Sequence, residues 1–85
     1  MEKGEKSIME WIELIELTDE KVSYRYYPEG KNEYGIVSLM RKTGELIHDV
    51  PCLNVLLTYA GHAWRRIEKY QKENNFPKKA MIAWG

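Results

Sequence analysis

The chain has 85 residues, 44% hydrophobic and 31% charged, and its 13 Lys and Arg are balanced by 13 Asp and Glu. That length holds one small core, and the composition excludes a disordered chain, a collagen-like repeat and a coiled coil. No apolar run approaches the ~20 residues of a membrane span, the start lacks the apolar core of a signal peptide, and a lone cysteine makes no internal disulfide. A cytoplasmic setting with no membrane partner is therefore expected.

The neutral total hides an asymmetry. Residues 1–50 carry 11 acids and 7 bases, whereas residues 51–85 carry 2 acids and 6 bases. Such halves attract within one fold or across a dimer, and they argue less for nucleic acid than a basic total would.

Residues 1–7 are charged and contain Gly4, and read as a flexible N-terminus ahead of a single domain over 8–85. Ile8–Leu17 fits two templates. Ile8, Trp11, Ile12 and Ile15 suit a helix that Ser7 and Glu10 would cap; Trp11, Glu13, Ile15 and Leu17 also alternate with Ile12, Leu14 and Glu16. The joint Thr18–Lys21 has the length of a hairpin connection, which favours the strand. Val22–Tyr27 is β-branched and aromatic, with Val22, Tyr24 and Tyr26 on one face and Arg25 and Tyr27 on the other. Turn residues at 28–33 end it. A third strand is expected from Tyr34 to Arg41, then a hairpin with Gly44 at positive φ, then a fourth strand from Leu46 to Val50 that Pro51 stops.

Beyond Pro51 the period changes to three and four. Leu53, Leu56, Leu57, Ala60, Ala63, Trp64, Ile67 and Tyr70 form an apolar helical stripe, which Asn54 or a near neighbour caps and Asn74-Asn75 ends before Pro77. Ala80–Trp84 suits a last strand. The expected fold is α+β: a four- to five-stranded antiparallel meander covered on one face by a single long helix, in the order β-β-β-β-α-β. The other sheet face is left to water or to a partner.

His48, Asp49, Cys52 and His62 are the only grouping that resembles a metal or nucleophile site. Their spacing matches no closed zinc motif. Cys52, beside Pro51 and Leu53, reads as a buried, inert thiol. No glycine pattern cradles a phosphate. Catalytic, metal and cofactor residues are accordingly none, and no enzyme is expected.

Four features suggest an interface. Tyr24, Tyr26, Tyr27 and Tyr34 could stack bases on a sheet face, although alternation lets at most half of them share it and cross-strand packing is the cheaper explanation. Arg65, Lys69 and Lys72 make a basic helix face that is either solvated or phosphate-binding. Gly61, beside Ala60 and Ala63, marks a close approach, either of the helix to its own sheet or of a second helix. Trp84, near the chain end, is a candidate interface anchor.

The segments Tyr26-Tyr27-Pro28-Glu29-Gly30-Lys31, Tyr34–Ser38, Lys42-Thr43-Gly44-Glu45 and Met81-Ile82-Ala83-Trp84 resemble small uncharacterised proteins of gut Firmicutes. The resemblance implies a bacterial, cytoplasmic protein and carries no functional residue. The expected function is a non-enzymatic protein-interaction or self-associating module, its partner another protein or a second copy. The alternative is a small nucleic-acid-binding regulator that uses the sheet tyrosines with the basic helix face.

Overall fold

A computed structural model describes residues 8–52 and 57–84. The elements are β1 (Ile8–Leu17), β2 (Lys21–Pro28), β3 (Gly35–Met40), β4 (Leu46–Val50), α1 (Leu57–Glu73) and β5 (Lys79–Trp84). All strand pairs are antiparallel, in the order β4-β3-β2-β1-β5. The expected α+β class and element order are observed, and β5 completes the sheet beside β1. The expected flexible start at 1–7 and the expected helix start with Leu53, Asn54 and Leu56 lie outside the described residues.

Ile8–Leu17 is a strand. Its helical spacing loses to a tight connection: Thr18 N–H donates to Lys21 O at 2.9 Å, and the Thr18 hydroxyl accepts from the Glu20 and Lys21 N–H groups. Register shifts between Leu14 and Glu16, so Ile15 bulges out and Leu17 returns opposite Val22. After β2, Glu29 and Gly30 both adopt positive φ and Lys31 N–H closes on Pro28 O, the pattern of a type I′ turn. Gly44 takes the expected positive φ in the β3–β4 connection.

The helix covers the face carrying Ile12, Val22, Tyr24, Tyr26, Val37, Leu39 and Ile82, on which it buries Ala60, Ala63, Ile67 and Tyr70. Two alanines opposite large tyrosines let helix and sheet approach closely. Leu57, expected on this stripe, is 73% exposed. Burial needs a surface opposite, and among the described helix residues the sheet covers the stripe from Ala60 onward. Asn74 in the left-handed region ends the helix as expected. Asn75 N–H reaches Tyr70 O and Asn74 N–H reaches Gln71 O, the two bonds of a Schellman cap.

Candidate functional site

The face opposite the helix is the site that the fold leaves open. In antiparallel pairs, register partners stand on the same face. Trp11 pairs with Tyr27 on β2 and with Met81 on β5, so these three side chains form one row across three strands. Tyr34, just before β3, extends the row, its ring edge-on to Tyr27 at 5.5 Å. Trp11 is 44% exposed, Tyr34 41% and Met81 49%. The row ends at β5, an edge strand.

A charged row runs beside it. Glu13 pairs in register with Arg25 and Lys79. Its carboxylate lies 3.8 Å from the Arg25 guanidinium and accepts the Tyr27 hydroxyl at 3.2 Å. Burial, and then the Glu13 carboxylate, push the Tyr27 phenol up from its ordinary value. The Arg25 guanidinium also sits 5.0 Å from the centre of the Tyr34 ring. A surface hollow lined by Trp11, Glu13, Tyr27 and Lys79 joins the two rows. Large rings, a donor, an acceptor and two cations therefore converge on one face of the sheet.

Farther along the same face the polar groups satisfy one another. Ser23 and Ser38 are buried, their hydroxyls 2.6 Å apart, and Ser38 donates to Asp49. Lys21 reaches Asp49 at 4.0 Å and Glu16 at 3.8 Å, closing the charges over the serines.

Of the expected interface residues, Tyr27 and Tyr34 lie on this side. Tyr24 and Tyr26 are buried under the helix, a correction to their candidacy that follows from strand phase. Tyr24 donates to Pro77 O at 2.6 Å; the Tyr26 hydroxyl accepts from Cys52 N–H and lies 2.6 Å from His48 Nε2. Trp84 is no free anchor. It pairs with Ile8 in the sheet, its ring stacks on His62 at 3.8 Å, and Tyr59 meets it edge-on at 5.5 Å. A Cβ at Gly61 would meet nothing within 4 Å, so among the described residues nothing makes the close approach its glycine suggested.

Arg65, Lys69 and Lys72 are exposed on the helix. The sheet separates them from Tyr27, so one surface cannot combine the sheet tyrosines with the basic face. His48 is held by Tyr26 and meets the Trp64 ring at 5.4 Å, whereas His62 is stacked on Trp84. Burial lowers the pKa of both imidazoles and raises that of the Cys52 thiol. Among the described residues, no three His, Cys, Asp or Glu side chains gather as metal ligands.

Sequence reasoning missed Trp11 and Met81 as a pair, and it missed Glu10. Glu10 shares the phase of Ile12 and Leu14, which was the available signal. The strand puts its carboxyl beneath the helix with no exposed surface, and among the described residues neither oxygen has a hydrogen-bond partner. Desolvation raises its pKa to about 8, against the opposing pull of Arg66.

Among the described residues no helix is long and apolar enough to cross a membrane. Set against known proteins, the chain matches no family model, no curated protein and no solved structure.

Proposed function

We propose that this chain is a non-enzymatic interaction module that docks on protein through the open face of its sheet, in a bacterial cytoplasm. One observation carries the reading: Tyr34, Tyr27, Trp11 and Met81 form a single row, and three of the four are more than two-fifths exposed. Large rigid rings lose little entropy on docking and gain much from losing water, so such residues dominate protein interfaces. The adjoining Arg25, Glu13 and Lys79 supply a polar rim that orients a partner. No catalytic, metal or cofactor role is assigned to any residue.

A photo-crosslinking amino acid placed at Trp11 or Tyr34 tests this in cells, with Lys69 on the helix as the control. Protein adducts confined to the sheet positions support the reading. Equal labelling from Lys69, or none from the sheet, sinks it.

The exposed Arg65, Lys69 and Lys72 keep a second reading in view, a phosphate-backbone contact made by the helix alone. Reversing all three to Glu abolishes a salt-sensitive nucleic-acid complex if this reading holds, and leaves sheet-face docking intact.

A further inference from the structure

The backbone of β5 adds a direction to the open face. Two hydrogen bonds beyond the ladders fix which way each residue's peptide groups point. Glu29 N–H donates to Met9 O at 2.9 Å, so the odd residues of β1 bond towards β2. Leu14 N–H donates to Lys78 O at 2.8 Å, so the even residues of β1 bond towards β5. By the β1–β5 register, Ala80, Ile82 and Trp84 therefore face β1. The peptide groups of Lys79, Met81 and Ala83 point away from the sheet, and among the described residues no strand pairs with them.

Edge strands in stable monomers are blunted by charge, proline or a bulge. The opposite edge, β4, has such devices: its pairing with β3 is irregular around Asp49, and Pro51 follows at once. β5 has Lys79 at its first position and then Ala80-Met81-Ile82-Ala83-Trp84, with no charge, proline or register shift.

Resting on the open-face reading, we propose that β5 pairs antiparallel with β5 of a second copy about a two-fold axis at Met81. This register meets three constraints. Side chains on one face must meet across the pair, which requires partners of the same phase. The outward peptide groups must bond to each other, and centring on Met81 lets Met81 pair with its copy while Lys79 pairs with Ala83 on both sides. Like charges must not face each other; centring on Lys79 opposes two ammonium groups, and centring on Met81 opposes none. The resulting sheet is continuous, with both helices on the same side. The row Tyr34–Tyr27–Trp11–Met81 then runs directly into its own copy, and the water-exposed flank of Met81 is covered by its equivalent.

Sedimentation of the full chain up to roughly 1 mM reads the oligomer. A concentration-dependent dimer is expected. Met81→Pro removes an outward donor without touching the β1 ladder, and Met81→Lys opposes two charges on the axis; either should shift the dimer to monomer at least tenfold in concentration. Far-UV dichroism shows that each variant is folded, and Met81→Lys stands in if the proline variant is not. Oxidised Met81→Cys should bridge two chains, since bonded partners lie about 5.5 Å apart at Cα. Lys79→Cys and Ala83→Cys should bridge only when mixed, because each is offset from its own copy by about 13 Å along the strands. A chain that stays monomeric overturns the pairing, and the crosslinks at Trp11 then judge the face separately. A dimer that survives both Met81 variants but is lost in Trp11→Asp overturns the strand pairing and leaves the open-face reading standing.

Discussion

The ring of Tyr26 occupies the space that a side chain at Gly35, its register partner on β3, would need; a Cβ at position 35 would collide with the Cε1, Cζ and hydroxyl atoms of the ring. Glycine here is a matter of room and not of backbone angle. The ring lies flat over β3 and carries its hydroxyl to Cys52 N–H and His48, joining β2 to β4 and to the chain beyond it.

Gly35→Ala should therefore displace the ring and cost about 1–3 kcal/mol in urea unfolding. Tyr26→Phe removes the hydroxyl while keeping the ring, and should cost about 1–3 kcal/mol by leaving Cys52 N–H unpaired. Because both changes break the same contacts, the double variant should lose less than the sum. A fully additive result would show that the ring does not hold this position.

Glu10 makes stability depend on pH. Its carboxyl titrates near 4.5 when unfolded and near 8 when folded, so between those values the folded chain holds a proton that the unfolded chain releases. Stability is fully present below about 4.5 and falls as pH rises through about 8, with a limiting slope of about 1.4 kcal/mol per unit. Glu10→Gln should flatten the unfolding midpoint across that window and raise it at pH 8. An unchanged slope would show that Glu10 is not desolvated.

Gly61 lies within the helix with open space where a Cβ would go. Gly61→Ala should stabilise the chain by about 0.5–1 kcal/mol, because alanine loses less backbone entropy on entering a helix. Association through the sheet should not change. A loss of association would restore Gly61 to an interface.

Arg41 clamps the helix end to the β1–β2 connection. Its Nε donates to Gln71 Oε1 at 3.0 Å, its Nη1 donates to Thr18 O at 2.7 Å, and Gln71 Nε2 donates back to Arg41 O at 3.1 Å. The guanidinium also sits 5.0 Å from the Phe76 ring centre. Lysine cannot reproduce this fork, so Arg41→Lys should cost about 1–2 kcal/mol. Amide exchange should quicken at Thr18–Lys21 and around Asn74, and not at the far end of the sheet.

The strands after β1 and most of the helix were legible because burial imposes its period on the residues. Val22, Tyr24 and Tyr26 share a phase, and so do Ala60, Ala63, Ile67 and Tyr70; both sets are buried. Ile8–Leu17 carried two periods at once, and the Thr18–Lys21 connection decided between them. Tyr24 and Tyr26 were mistaken for surface candidates because residue type says nothing about which face of a strand becomes the core. Leu57 was misplaced because periodicity marks an apolar direction but not where the covering surface begins.

The sequence by itself determined the element order, the turns at Gly30 and Gly44, the cap at Asn74 and the alternation of each strand, since these depend on neighbours only a few residues apart. Tertiary structure alone decided that β5 lies beside β1, which sets Met81 against Trp11 across 70 residues of chain and builds the exposed row. It alone decided that the helix crosses the face carrying Glu10, which buries a carboxyl with no hydrogen-bond partner among the described residues. Both outcomes are set by pairing and packing between distant segments, and local sequence does not encode which distant segment arrives.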